Sequence, residues 1–139
     1  MLSVENIHKA YGRYNLFDGV SFRLNSREKI GLVGRNGHGK TTLMRLIVGQ
    51  EEPDAGNVVK PRNYRIGYVQ QHLAFSQPTI LAEVATGLPP HEAEQLWKAE
   101  RILAGLGFAD EDMLRAPAAF SGGYQVRLNL AKVLVSEPD

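Results

Sequence analysis

The stretch that decides the fold of this 139-residue chain is Gly34-Arg35-Asn36-Gly37-His38-Gly39-Lys40-Thr41. The short apolar run at residues 29–33, which precedes it, has the pattern of a strand buried on both faces. After it, Leu43, Leu46 and Ile47 recur at helical spacing. A strand, a glycine-rich turn ending in Lys-Thr and a helix, in that order, predict a phosphate-binding loop, or P-loop.

Each part of the P-loop suits a polyphosphate with its metal ion. Glycines let successive N–H groups point into one concavity, and the helix N-terminus adds its positive dipole end. We expect Lys40 to neutralise β- and γ-phosphate oxygens, Thr41 to complete a Mg²⁺ shell and Thr42 to bond the α-phosphate. His38 fits an exposed loop position better than a proton-transfer role. The predicted nucleotide-binding residues are Gly34, Arg35, Asn36, Gly37, His38, Gly39, Lys40, Thr41 and Thr42.

The composition is that of a globular protein, with 43% hydrophobic and 22% charged residues. Sixteen basic against fifteen acidic residues give a net charge of +1, which removes the bulk electrostatic argument for a nucleic-acid or membrane-surface binder. The absence of cysteine excludes a disulfide scaffold, thiolate metal sites and cysteine catalysis. Because the sequence has no long apolar run and no signal-like N-terminus, we expect a soluble cytoplasmic protein without membrane insertion.

Strands are predicted before and after the P-loop, and helices in the second half. The predicted strands cover residues 2–11, 20–24, 29–33, 58–59 and 65–69. Gly49 should end the P-loop helix, and Thr79 should cap a short helix that runs to Val84. Residues 91–104 have the pattern of one amphipathic helix. Ser121 should cap a last helix, which we expect to place Val126, Leu130, Val133 and Leu134 on one face.

A second motif narrows the choice among P-loop proteins. Residues 120–132, Phe-Ser-Gly-Gly-Tyr-Gln-Val-Arg-Leu-Asn-Leu-Ala-Lys, lie some 80 residues after the P-loop. Ser121 and two glycines at a helix N-terminus leave backbone donors free for an anion. This segment resembles the signature of ATP-binding-cassette (ABC) ATPases, and the resemblance covers essentially the whole chain.

The resemblance implies how the residues share the nucleotide. In that family two cassettes dimerise head to tail, and the signature of one covers the γ-phosphate held by the P-loop of the other. Tyr11 matches the aromatic that stacks on adenine, with Tyr14 as a weaker candidate. Gln71 matches the glutamine that touches Mg²⁺ and the attacking water, although Gln70 also fits. The implied contacts across the dimer come from Ser121, Gly122, Gly123, Tyr124 and Gln125.

Three segments resemble the ABC-F group, whose members are soluble, carry two cassettes in one chain and act on the ribosome. They are Tyr124 and residues 99–108 and 129–134. The alternative is the ATPase subunit of a membrane transporter, and a third possibility is a non-catalytic ATP-sensing module. A second cassette in the same frame would favour ABC-F, and a stop after one cassette would favour a transporter.

The implied fold class is α/β, a P-loop NTPase of the ABC nucleotide-binding type. It comprises an antiparallel β subdomain with the P-loop core (1–72), which includes part of a RecA-like parallel sheet, a helical subdomain (73–120) and the signature helix (121–135). In the family the Walker B strand follows, so the resemblance implies that residues 1–139 are the N-terminal part of a first cassette. We therefore expect no catalytic residue in this chain, ATP binding without hydrolysis, and an uncovered strand edge that promotes self-association.

Overall fold

The computed structural model describes residues 1–37 and 39–139; His38 lies outside the described residues. The chain divides into two compact units, Met1–Tyr64 and Arg65–Asp139, and each is described by itself. The first unit holds the P-loop, and the second holds Gln71 and the signature segment (residues 120–132).

The first unit is built on a three-stranded antiparallel sheet in the order β2-β1-β3. Its strands are β1 (Leu2–Tyr11), β2 (Tyr14–Leu24) and β3 (Ala55–Val59). Gly12, at φ 60°, makes the tight turn between β1 and β2, where Tyr11 lies opposite Tyr14. The strand register shifts between residues 4 and 7, where Asn6 takes φ 48°. Leu2, Val4 and Ile7 of the central strand are buried and form the apolar face of the sheet.

Helix α1 (Lys40–Val48) follows the P-loop, as the sequence predicts. Leu43 and Leu46 are its buried residues. Gly49 ends the helix in the left-handed conformation, at φ 81°, and its N–H bonds back to the Leu46 carbonyl. Glycine is favoured there because a Cβ would be strained at that φ.

The second unit is a cluster of three helices: α2 (Ile80–Ala85), α3 (Leu96–Gly105) and α4 (Gly122–Leu134). Short 3₁₀ turns lie at Pro90–Glu92, Asp110–Asp112 and Pro117–Ala119. Thr79 caps α2 as predicted, since its hydroxyl accepts a hydrogen bond from Ala82 N–H at 3.1 Å. The core where the helices meet is apolar and consists of Ile80, Val84, Leu88, Ala99, Leu103, Phe108, Met113, Leu128, Ala131 and Val135.

One charged residue, Glu83 of α2, is buried in this second unit, with 1% of its side chain exposed. Its Oε1 accepts from Lys132 Nζ of α4 at 2.7 Å. Its Oε2 accepts the N–H groups of Ser76 and Gln77 at 3.0 and 2.8 Å. Burial by itself would raise the pKa of Glu83, but these hydrogen bonds together outweigh burial and hold the pKa below its ordinary value. The carboxylate therefore ties α4 to the segment that leads into α2.

Two predicted strands are wrong as strands. Residues 29–33 and 65–69 belong to no helix and no strand ladder among the described residues. Ile30, Leu32 and Val33 are correspondingly 53, 41 and 95% exposed. An apolar run predicts burial, but a strand forms only where a neighbouring backbone pairs with it.

The helix predicted over residues 91–104 and the helix after Ser121 also differ from the prediction. The helix expected over 91–104 begins at Leu96, because a 3₁₀ turn at Pro90–Glu92 and an irregular link precede it. In α4 the buried residues are Leu128 and Ala131, whereas Val126 is 56% and Leu134 37% exposed. The predicted apolar face was therefore wrong, because the position of α2 and α3 decides which stripe of α4 is covered.

Candidate nucleotide-binding site

The described part of the P-loop has the backbone that its glycines predict. Gly37 and Gly39 take φ 82° and 93°, a region that side chains disfavour. A Cβ on Gly39 would also lie 2.9 Å from Leu16 Cδ1 of β2, which is too close. Gly39 is thus required twice, by its backbone angle and by the side chain beside it. His38, between these two glycines, was predicted to bind nucleotide and lies outside the described residues.

The side chain of Lys40 folds back over the P-loop. Its ammonium donates to the Gly34 carbonyl and, at 3.0 Å, to the Arg35 carbonyl. Lys40 begins α1, so these contacts hold its positive charge between the start of the loop and the start of the helix. The charge therefore lies where the loop would receive an anion.

The N-terminus of α1 is free to bind an anion. No side chain among the described residues caps it, and its first turn contains no acidic residue. The first backbone bond of the helix runs from Leu43 N–H to the Gly39 carbonyl, so the N–H groups before it are left without a helical partner. Thr41 is exposed and Thr42 half-buried. Uncapped donors, a lysine ammonium and an exposed hydroxyl fit a polyphosphate, and Thr41 is the loop residue that could join phosphate oxygens in holding Mg²⁺.

Tyr11 lies beside the P-loop helix. Its hydroxyl donates to Glu51 Oε1, and Thr42 lies near the hydroxyl. The bond to Glu51 raises the pKa of Tyr11 and lowers that of Glu51, as expected when a phenol donates to a carboxylate. Tyr11 is 48% exposed. Tyr11 and the P-loop, which are far apart in sequence, thus meet in the first unit.

The signature segment forms an open helix start in the second unit. Ser121 is the N-cap residue of α4, although its hydroxyl makes no capping bond. Gly122 and Gly123 have nothing within 4 Å of the place where a Cβ would stand. The backbone at this end of α4 is therefore accessible to an approaching group.

Tyr124 and Gln125 make contacts inside the second unit. The Tyr124 ring packs edge-on against Phe108, with centroids 5.3 Å apart. The Gln125 side-chain amide donates to the carbonyls of Pro117 and Phe120, both at 3.2 Å. These two side chains hold the signature helix against the preceding turn.

Gln70 and Gln71, the two candidates for the glutamine that contacts Mg²⁺, are both exposed. Asn129 of α4 donates its side-chain amide to the Gln70 carbonyl at 3.2 Å. The second unit thus brings this glutamine pair and the signature helix together.

Sequence reasoning missed Glu51, Lys9, Glu83 and Lys132. Glu51 is 40 residues from Tyr11, and Lys132 is 49 from Glu83. No local spacing rule links residues so far apart. A carboxylate inside an otherwise apolar helix, as in Ile80–Ala85, was the one available signal, because such a group is rarely buried without a partner.

Among the described residues, no helix is both long enough and apolar enough to cross a membrane.

The chain is similar in sequence to known ATP-binding proteins. The family model described as "ABC transporter" matches residues 17–139. The chain is 32% identical to ABC transporter F family member 5 of Arabidopsis thaliana, over 99% of the chain and 26% of that protein. It is 37% identical to the sulfate/thiosulfate import ATP-binding protein CysA of Bordetella pertussis, over 99% of the chain and 43% of that protein. The chain thus spans less than half the length of these relatives.

The fold agrees with that family. A dimeric bacterial ABC transporter cassette superimposes with a TM-score of 0.79 at 22% identity, covering 99% of this chain and 71% of that one. At this identity the likeness shows the fold alone, and it confirms the predicted fold class. A P-loop with an uncapped helix start, a signature helix and a family match over residues 17–139 lead to one conclusion. The chain belongs to the ABC transporter family and is an ATP-binding cassette domain.

Proposed function

We propose that the P-loop and its flanking residues in this chain bind ATP with Mg²⁺. The observation that carries the proposal is the Lys40 ammonium held over the loop carbonyls, next to an uncapped helix N-terminus. Lys40 would meet the β- and γ-phosphates, Thr41 the Mg²⁺ ion and Thr42 the α-phosphate. The adenine would stack on Tyr11, whose hydroxyl lies near Thr42. Residues 34–39 would supply the backbone donors.

Calorimetric titration with Mg-ATP tests this proposal. Lys40→Ala should abolish measurable binding, because it removes the ammonium that lies over the loop carbonyls. Lys60→Ala is the matched control, since Lys60 is an exposed lysine of the same unit. Equal affinities for the two variants would contradict the proposal.

We infer that nucleotide is shared between two cassettes. Ser121, Gly122 and Gly123 present an open helix start whose donors suit a γ-phosphate. In the head-to-tail arrangement, these residues would cover ATP held by a second P-loop. Gln71 would contact Mg²⁺ and water, and Tyr124 and Gln125 would support the signature helix through their internal contacts. ATP-dependent dimerisation, lost in Gly122→Trp and kept in the exposed-surface variant Glu100→Gln, would be the expected sedimentation result.

We propose that residues 1–139 bind ATP without turning it over at a useful rate. Phosphoryl transfer to water at a useful rate needs a general base for the water, and the residues proposed here to meet the phosphates, Mg²⁺ and water, Gln71 included, contain no carboxylate. Mg²⁺-dependent phosphate release that disappears in Lys40→Ala would contradict this proposal.

For the cellular role, we propose ribosome-associated work of the ABC-F kind, in which ATP-driven closure of two cassettes changes the grip on a ribosomal state. The support is the similarity to an ABC-F protein over nearly the whole chain. A transporter ATPase is the second candidate, favoured by the 37% identity to a sulfate/thiosulfate import protein.

Co-sedimentation with ribosomes separates these two roles. The protein, expressed from its native gene, should be sedimented with ribosomes in the presence and absence of Mg-ATP. The variants Lys40→Ala and, as the control, Lys60→Ala should be treated in the same way. ATP-dependent ribosome binding that only Lys40→Ala loses would support the ABC-F role. No binding under any nucleotide condition would favour the transporter role.

A further inference from the structure

The loop between α1 and β3, residues 49–54, lies against the end of β1. Asp54 N–H donates to the His8 carbonyl at 2.8 Å, and Asp54 Oδ2 accepts Ala10 N–H at 2.7 Å. Lys9 donates to the Glu52 carbonyl at 2.8 Å. These three bonds fix the loop relative to β1, so Glu51 has a defined position beside Tyr11.

Lys9 and Glu51 hold the Tyr11 side chain from two directions. Glu51 accepts the phenol hydrogen bond, and the Lys9 ammonium lies 5.4 Å from the centre of the Tyr11 ring. Lys9 and Glu51 also pair with one another at 3.5 Å, and the Lys9 side chain is only 13% exposed. An aromatic ring held at its hydroxyl and over its face loses little further freedom on stacking.

We propose that Glu51, supported by Lys9, is a positioning residue that pre-orders the Tyr11 ring for the nucleobase. The inference rests on the proposed function, since it assumes that the nucleotide occupies the P-loop. The expected consequence is that Glu51 increases the affinity for a nucleotide, which has a base to stack on Tyr11. The affinity for phosphates alone should not depend on Glu51. Glu51 touches neither base nor phosphate in this account and acts through Tyr11.

Two probes separate positioning from a structural role. Binding of Mg-ATP and of inorganic tripolyphosphate, which has no base, is measured by calorimetry. Glu51→Ala should weaken ATP binding about two- to tenfold, the range of an aromatic stacking contact, and leave tripolyphosphate unchanged. Glu51→Gln should restore ATP binding, because its amide oxygen still accepts the phenol hydrogen bond.

Glu52→Ala is the matched control, because Glu52 is the neighbouring exposed carboxylate and its removal changes the net charge equally. Tyr11→Phe keeps the ring but loses the hydroxyl, so it should weaken ATP binding as Glu51→Ala does. The double variant should be no worse than either single one.

Three results would overturn the inference. In the first, Glu51→Ala weakens the binding of ATP and of tripolyphosphate equally, which would indicate a disturbed loop. In the second, Glu51→Ala has the same ATP affinity as Glu52→Ala. In the third, the losses of ATP affinity in Glu51→Ala and Tyr11→Phe add fully in the double variant. Failure of the proposed function has another signature, because tripolyphosphate binding would then be insensitive to Lys40→Ala or absent from the unaltered chain.

Discussion

Glu83→Gln should destabilise the second unit (Arg65–Asp139) more than the same change at any other glutamate of that unit. The carboxylate is 1% exposed and accepts three hydrogen bonds, one of them from Lys132. Glu83→Gln keeps the shape but loses the ionic bond, which should cost about 1.5 to 3 kcal/mol. Glu83→Ala also removes the side chain that accepts from the Lys132 ammonium and from two backbone N–H groups, and leaves a space in the unit, so it should cost about 3 to 5 kcal/mol.

Lys132→Met tests the same pair from its other side. Lys132→Met leaves the Glu83 carboxylate, 1% exposed, with only its two N–H donors, so the loss should be at least as large as in Glu83→Gln, about 2 to 4 kcal/mol. In the double variant with Glu83→Gln, the losses should be less than additive because both substitutions break the same bond.

Urea denaturation followed by tryptophan fluorescence is the suitable assay. Trp97 is the only tryptophan of the chain and belongs to α3, in the same unit as Glu83. Glu100→Gln is the control: Glu100 is an exposed carboxylate of α3, and its loss should change stability by less than about 0.5 kcal/mol. Equal midpoints for Glu83→Gln and Glu100→Gln would refute the reasoning.

The pH dependence has a definite sign. The pKa of Glu83 is lower in the folded chain than its ordinary value of 4.5. The charged form thus stabilises the fold at all pH values above 4.5, and this stabilisation is lost as pH falls through the lower folded pKa. The gap in unfolding free energy between the unaltered chain and Glu83→Gln should be full at neutral pH and shrink in acid. A gap that grew in acid would contradict this assignment.

Three further predictions follow from local geometry. A Cβ on Gly56, at φ 86°, would stand 2.2 Å from the Asn6 carbonyl oxygen, so Gly56→Ala should lower the free energy of unfolding by more than about 2 kcal/mol in urea denaturation. Gly105 lies in open space on α3, so Gly105→Ala should be neutral or stabilising in the same assay. Thr79→Ala removes the cap of α2 and should cost about 1 kcal/mol by Trp97 fluorescence; no change would mean that the cap is dispensable. Leu32 is an apolar residue that is 41% exposed, so Leu32→Lys should reduce self-association measured by sedimentation velocity; an unchanged sedimentation distribution would show that Leu32 does not take part in the contact.

Local sequence determined the features that depend on neighbouring residues. Gly39 and Gly49 bound α1 because positive φ at each end suits glycine, and Thr79 caps α2 through a hydroxyl bond three residues on. The P-loop and the signature helix start follow for the same reason, since glycines and an uncapped helix give free N–H groups wherever they occur. These features could be predicted without knowing what packs against them.

Tertiary structure decided whatever depends on residues distant in the chain. The period of α4 allows several apolar stripes, and only its packing in the helical core selects Leu128 and Ala131. Residues 29–33 look like a buried strand, yet pairing requires a partner backbone that a local pattern does not supply. Glu51 meets Tyr11 and Glu83 meets Lys132 across 40 and 49 residues. Local sequence therefore determined the loop that can hold phosphate. Only the folded chain brings together the distant side chains, such as Glu51 and Tyr11, that lie beside it.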